Sequence, residues 1–299
     1  MIGLVLRVDA KVCHVELEGV THALPLRGKL FEHRHREKRP IAVGDRVRVS
    51  LDAQGGAIEE VMPRKTRLAR KSSGDDAREH LIATNLSLVV VVAAITEPSF
   101  QHDLVDRMLA GAEDAQIDAV LVVTKADRDP RDEAAAVQKL YEGLGYRVFF
   151  VSTHPGKQTH AELRELEQLL HANESVLCGA SGVGKSSLLN ELLPGLELRT
   201  GEVGRSSLGK HTTSHTQLIP LPGGGHVLDT PGIRGFDLFD VPGSAVAHLF
   251  REMRPLVERC KFRDCSHRHE PVCAVRDAVA RGDIAASRYA SYCALVGGG

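Results

Sequence analysis

A short apolar run, Ser175 to Cys178, leads into GASGVGKSS at 179–187, and the helix-like Lys185 to Leu193 follows it. Strand, glycine-rich loop and helix in that order constrain this chain more than anything else in it, because a loop of the form G-x-x-x-x-G-K-[ST] needs both flanks to hold its ends. Glycines at 179, 182 and 184 let the backbone turn tightly enough for its N–H groups to converge, and the helix start adds the positive end of its dipole. Phosphate oxygens suit such a cradle. Gly179, Ala180, Ser181, Gly182, Val183 and Gly184 would wrap the phosphates, with Ser187 completing the nucleotide-binding set. Lys185 would reach the β- and γ-phosphates, and Ser186 would ligate Mg²⁺. Pro194 then stops the helix.

The residues around this loop alternate apolar strands with helix-like stretches, the pattern of a parallel sheet covered by helices. Strands are expected at 86–94, 118–124, 147–152, 175–178, 217–220 and 226–228, and helices near 103–115, 131–144, 161–171 and 185–193. Ligands of such sheets sit beyond the carboxyl ends of the strands. Several short motifs fall there. TKAD at 124–127 places Asp127 where a carboxylate can accept two hydrogen bonds from guanine, with the Lys125 stem over the base and Thr124 and Ala126 beside it. Ser152 and Thr153 end the next strand, where a backbone N–H can meet the guanine carbonyl oxygen. After the phosphate loop, Arg205 to Ser214 lacks helical or strand period and suits a loop ordered by γ-phosphate and Mg²⁺, with Thr212 or Thr213 on the metal. Then HVLDTPG sets Asp229 at a strand end for water-mediated Mg²⁺ contact and Gly232 for the γ-phosphate. Base-reading TKAD precedes the phosphate loop instead of following it, which describes a rearranged GTPase.

At 299 residues, 42% hydrophobic and 26% charged, the chain suits two or three globular domains. Its net charge of −1 means that any affinity for nucleic acid must be local. Met1 to Ala10 is too short an apolar stretch for a leader and is broken by Arg7 and Asp9, and no apolar run reaches a membrane span, so a cytoplasmic protein without membrane contact is expected. In that setting the six cysteines read as thiols or metal ligands. From Met1 to about Met62, short strand-like runs separated by turns suggest a small barrel. Basic residues gather at Arg27, Lys29, Arg34, Arg36, Lys38, Arg39, Arg46 and Arg48, and again at Arg64, Lys65, Arg67, Arg70 and Lys71. They suit an RNA backbone or a solvated face, and with Phe31 the only aromatic there, base stacking is thinly supported.

Near the end, Cys260, Cys265, His267 and Cys273 form C-x4-C-x-H-x5-C. Three thiolates and an imidazole fill a tetrahedral Zn²⁺ shell with no open position, as in a structural site, one per chain. His269 is a rival ligand on spacing alone. Arg251, Arg254, Arg259, Lys261, Arg263, Arg268 and Arg276 surround the cluster.

TKAD, VST (151–153), GASGVGKSS, GKHTT (209–213) and DTPG (229–232), with a barrel before them and a cysteine/histidine cluster after, resemble the circularly permuted RsgA family of small-subunit-dependent GTPases. The resemblance implies an N-terminal OB-like β-barrel at 1–66, a central α/β P-loop GTPase domain, circularly permuted, at 67–240, and a C-terminal, mostly helical zinc-binding module at 241–299. It implies GTP, GDP and Mg²⁺ as ligands, the small (30S) ribosomal subunit and its rRNA as partners through both flanking modules, late subunit maturation as the role, and a monomer. Ile233, after the glycine of the second switch, cannot orient a water, and the resemblance points instead to His211 as the catalytic group. Thr124 departs from the asparagine common in GTPases; a hydroxyl can make fewer bonds than an amide, so weaker nucleotide binding is expected. Two alternatives stay open: a non-catalytic guanine-nucleotide-dependent RNA-binding switch, and an assembly GTPase of the large subunit.

Overall fold

The computed structural model describes residues 1–27, 40–51, 56–71, 79–154, 156–157, 159–192, 216–229 and 241–297. Its strands are β1 (Ile2–Val8), β2 (Cys13–Leu17), β3 (Val20–Leu24), β4 (Arg46–Ser50), β5 (Ala57–Val61), β6 (Arg67–Lys71), β7 (Glu79–Thr84), β8 (Leu88–Ala94), β9 (Asp118–Thr124), β10 (Arg147–Val151), β11 (Glu174–Cys178), β12 (Gln217–Pro220) and β13 (His226–Asp229). The helices are α1 (His102–Asp114), α2 (Ala134–Gly143), α3 (His160–His171), α4 (Lys185–Leu192), α5 (Gly243–Val246), α6 (Arg254–Val257), α7 (Ala274–Arg281) and α8 (Ala286–Gly297). None of the described helices is long and apolar enough to cross a membrane. The chain divides into two compact units.

The first unit holds residues 1–88, 167–176 and 192–233. Antiparallel pairing runs β3-β2-β1-β4-β5. A bridge between Leu26 and Ile58 returns the end of that path to its beginning, with Ile58 N–H donating to Pro25 O at 3.0 Å and Arg27 N–H to Ile58 O at 3.2 Å. The strands therefore close into a small barrel, filled by Val5, Val15, Leu24, Val47, Val49 and Ile58. Alternating burial along β2 and β4 puts their apolar residues inside and Arg46 and Arg48 outside. Past the barrel, β1 meets β12 at Arg7↔Gln217; β12 pairs antiparallel with β13, and β13 parallel with β11. Barrel and nucleotide-domain strands thus share one ladder.

Arg67–Lys71 and Glu79–Thr84 form a separate two-stranded hairpin where sequence reading finds only a basic cluster. It is tied down by Asp45, fully buried, which accepts from Arg64 Nε at 2.7 Å, Arg64 Nη2 at 2.8 Å, Thr84 Oγ1 at 2.7 Å and Ala42 N–H at 2.8 Å. Arg64 is therefore a structural cation, not part of a free basic surface.

The second unit holds residues 89–166, 177–191 and 234–299. Strands run β10-β9-β8, with β10 and β9 parallel and β8 buried along its whole length, as a β-branched run between helical layers requires. Helix α2 begins at Ala134, three residues after the sequence-predicted 131, because the Asp129 carboxylate caps the chain there, accepting from Glu133 N–H at 3.0 Å and Ala134 N–H at 2.9 Å.

The C-terminal helices pack into the same unit. Arg288 on α8, 2% exposed in its side chain, donates through Nη1 to Asp106 Oδ1 of α1 at 2.7 Å and through Nε to Glu252 Oε1 at 2.7 Å. Its guanidinium lies 4.5 Å from the Phe250 ring centre, and Tyr141 OH of α2 donates to the same Asp106 oxygen at 2.8 Å. Glu113, at the end of α1, accepts from Arg251 at 2.6 Å and Arg254 at 2.8 Å. Burial works against its charge, yet the two guanidinium groups hold its carboxyl below the usual range. Removing one member of a buried ion network strands the others in low dielectric. Arg288→Met should therefore lower unfolding free energy by about 3–5 kcal/mol, read from a denaturant titration, whereas Arg281→Met, whose pair with Asp283 is exposed, should change it by less than about 1 kcal/mol.

Candidate nucleotide site and metal cluster

Leu177 and Cys178 run out of β11 beside β8, where the Cys178 thiol lies 3.8 Å from Val90 O. Burial pushes that thiol up to about 12, so it stays protonated and serves as a small apolar filler. Gly179 follows at φ +152°, and a Cβ there would stand 2.1 Å from Val92 O. Only glycine lets the loop leave its strand so close to β8.

The loop then turns through Ala180, Ser181 and Gly182 to Val183, which is buried, and Gly184, from which α4 starts; Leu188 N–H donates to Gly184 O at 2.9 Å. Ser186 and Ser187 are exposed on the first turn of α4. Lys185 folds back over the loop, its ammonium donating to Gly179 O and Ala180 O, both at 2.8 Å. Half-buried, that ammonium is pushed by desolvation below the ordinary lysine range. Phosphate oxygens in the loop would favour its charged form.

TKAD stands at the end of β9. Thr124 is 4% exposed, and its hydroxyl donates to Val183 O at 2.5 Å, with Ala93 O of β8 at 3.2 Å. A hydroxyl has one proton, and here it goes to the phosphate loop. Lys125, in the left-handed region at φ 57°, extends its ammonium to Glu97 O and, at 3.2 Å, to Gly182 O. TKAD and the glycine-rich loop are thus joined twice. Ala126 opens the turn Ala126–Arg128 that carries Asp127.

Asp127 keeps its carboxylate mostly covered. Burial raises its affinity for a proton, but the Ser152 hydroxyl donating at 2.8 Å, the turn's own backbone, and the charges of Lys157 at 3.9 Å and His154 hold the carboxyl below its usual range. It is therefore an ionised acceptor at neutral pH. Ser152 N–H donates to Thr159 Oγ1 at 3.1 Å, so Ser152 serves this site through its hydroxyl, and Thr153 is half-buried beside it. Thr159 and Lys157 carry no motif that would single them out from sequence.

Asp229 ends β13, the parallel neighbour of β11, and is half-buried. His211, Thr212, Thr213 and Gly232 lie outside the described residues. So do Lys29, Phe31, Arg34, Arg36, Lys38 and Arg39 of the first basic cluster.

Cys260, Cys265, His267 and Cys273 bring one donor atom each within 4.8 Å of one another. His267 Nδ1 is 3.4 Å from both Cys260 Sγ and Cys273 Sγ, which are 3.9 Å apart. Tetrahedral coordination with Zn–S near 2.3 Å and Zn–N near 2.1 Å separates donors by about 3.5–3.8 Å, so the arrangement fits such an ion. His269 is exposed and not among them. His267 sits at φ 55° on a loop fastened by groups with no motif of their own. Glu270 accepts from Ser266 N–H and Ser266 OH at 2.7 Å each and from Arg268 N–H at 3.1 Å; Tyr289 OH donates to His267 O at 2.7 Å and Tyr292 OH to Ser266 O at 2.9 Å. The two tyrosines stand three apart on α8, one face of a helix.

A model of the RsgA GTPase family matches residues 61–239. The small ribosomal subunit biogenesis GTPase RsgA of Gemmatimonas aurantiaca is 40% identical over 298 residues, covering 98% of this chain and 95% of that protein. The protein of the same name from Phocaeicola vulgatus is 37% identical with the same coverage of 98% and 95%. Among solved structures, YjeQ from Thermotoga maritima superposes with a TM-score of 0.80 at 32% identity over 99% of this chain and 96% of that one. YloQ, a circularly permuted GTPase, gives 0.77 at 28% identity over 99% and 94%.

The Thr124 tie sets a measurable expectation. Thr124→Val keeps shape and burial but leaves the Val183 carbonyl without its donor, a cost of about 1–3 kcal/mol. Affinity for a fluorescent guanine nucleotide should fall roughly tenfold in an equilibrium titration, while Thr124→Ser, which keeps the hydroxyl, should stay within about threefold of the parent. Equal affinity for the valine variant and the parent would remove the tie from the account of binding.

Proposed function

The chain belongs to the RsgA family of GTPases, and on that premise we propose that it hydrolyses GTP to GDP and phosphate during late maturation of the small ribosomal subunit. The observation that carries this reading is the junction of Thr124 and Lys125 with the phosphate loop, in a chain whose near-full-length relatives are small-subunit biogenesis GTPases. The barrel at 1–66 and the module at 241–299 are then the parts that meet the subunit and its rRNA, on either side of a GTPase domain at 67–240. The protein acts as a cytoplasmic monomer.

Asp127 selects guanine over adenine by accepting from its ring N–H and amino group, held in place by Ser152. Lys185 turns from its loop carbonyls to the β- and γ-phosphates. Ser186, Asp229 and either Thr212 or Thr213 offer the hard oxygen donors that Mg²⁺ prefers, which supports their assignment as its ligands. Mg²⁺ entering with GTP neutralises charge on the transferred group. Gly232 senses the γ-phosphate, and His211 orients the attacking water, a task closed to Ile233. Zn²⁺ in the Cys260, Cys265, His267 and Cys273 cluster is structural: no ligand position remains for a water, and the ion fixes a loop that has few core residues of its own.

Turnover of purified protein, followed by phosphate release, should be slow alone and rise by roughly an order of magnitude or more with small subunits, but not with large ones. His211→Ala should lower the stimulated kcat by about 10²-fold with little change in nucleotide affinity. Equal rates with and without subunits would sink the coupling, and stimulation by large subunits alone would move the protein to the other particle. Independently, metal analysis should return one zinc per chain, and a strong chelator should abolish the cooperative melting of the C-terminal helices.

A further inference from the structure

Between Cys260 and Cys265 the residues Lys261, Phe262, Arg263 and Asp264 are all exposed. Phe262, 40% exposed, is the only aromatic among the large exposed apolar side chains of the described residues; the others are Met1, Ile2, Val20, Leu51 and Val272. A ring left in water forgoes the burial that would stabilise the fold, and this chain has few rings, 4% aromatic with no tryptophan. The loop bearing it is short and held at both ends by cluster cysteines, with Cys265 N–H donating to Phe262 O at 3.3 Å. Phe262 is therefore presented on a fixed support.

Its surroundings are cationic. Residues 258–268 contain Arg259, Lys261, Arg263 and Arg268 against Glu258 and Asp264. Lys261 Nζ lies 5.7 Å from the Phe262 ring centre. Arg259, Lys261 and Arg263 form no ion pair with any described residue, whereas Arg251, Arg254, Arg281 and Arg288 all do. Cations that no carboxylate among the described residues neutralises, placed around an exposed ring, match a ligand that carries both phosphates and flat bases. An acidic protein surface would use the charges and leave the ring without a partner. Duplex RNA would offer phosphates but keep its base faces stacked.

We infer that Phe262 is a stacking platform for an unpaired RNA base, with Arg259, Lys261 and Arg263 on the flanking phosphates. The inference rests on the reading that this protein works on the small ribosomal subunit, and it names the module's ligand as unstacked RNA. Stacking is tolerant of base identity, so the contact favours single-stranded or bulged RNA over any particular sequence.

The test uses the full zinc-loaded chain, a fluorescein-labelled single-stranded RNA of twelve nucleotides and a duplex of the same length. Phe262→Ala should weaken single-strand binding about tenfold, leave duplex binding within twofold and leave the salt dependence unchanged, while Phe262→Tyr should bind as the parent does. Lys261→Gln should instead reduce the slope of log affinity against log salt by about 0.7. Zinc content and melting temperature, unchanged in each variant, separate these effects from misfolding. Single-strand affinity untouched by Phe262→Ala, or lowered alike in the alanine and tyrosine variants, overturns the inference. Co-sedimentation with small subunits in a non-hydrolysable GTP analogue separates it from its premise. Failure of the parent protein to sediment removes the premise, whereas a parent that sediments beside an alanine variant that binds RNA normally but loses the subunit assigns the ring to a ribosomal protein and overturns the stacking alone.

Discussion

One hydrogen bond, from the buried Thr124 hydroxyl to Val183 O, is the constraint on which the nucleotide site depends. It joins two segments that the chain delivers separately: the end of β9, which carries TKAD, and the glycine-rich loop after β11. With Lys125 reaching Gly182 O beside it, the two segments are held together at two points. An amide at position 124 could make more bonds, but the bond that matters is the one across the two segments, and a hydroxyl suffices for it.

The same unit uses a second constraint of a different kind. Arg288 reaches from α8 to Asp106 on α1 and to Glu252, and Tyr141 of α2 closes on the same carboxylate. One and four residues after that arginine, Tyr289 and Tyr292 fasten the loop that carries His267. Helix α8 is thus fixed both to α1 and to the loop of the cysteine/histidine cluster.

How much of this is legible in the sequence depends on whether a feature has a local signature. Strands β8 and β9 are legible because buried parallel strands are β-branched runs, and the four cluster ligands because their donor types and spacing belong to few other chemistries. The choice of His267 over His269 is not, since it turns on a left-handed residue at 267 and on the grip of Glu270. Nor is the β6-β7 hairpin: RLARK reads as charge, and only the tie from Asp45 to Arg64 and Thr84 reveals the strand beneath. Arg288 gives no signal, because a lone arginine in a helix is ordinarily a solvated one. Long-range pairing decides each of these cases, and pairing leaves no trace in spacing.

Those pairings also sort the basic residues, which composition alone cannot do in a chain of net charge −1. Arg64, Arg251, Arg254 and Arg288 are structural: each faces a carboxylate, and each would cost folding free energy to recruit for a ligand. Arg259, Lys261 and Arg263 have no such claim on them. A counterion brought by a ligand displaces only water and salt from these three, so their attraction is available at no structural cost and weakens with ionic strength. The barrel divides the same way, with Arg46 paired to Glu174 and Arg48 to Glu60. Arg259, Lys261 and Arg263 are therefore three cations without an ion pair to any described residue, set within five residues beside the exposed Phe262.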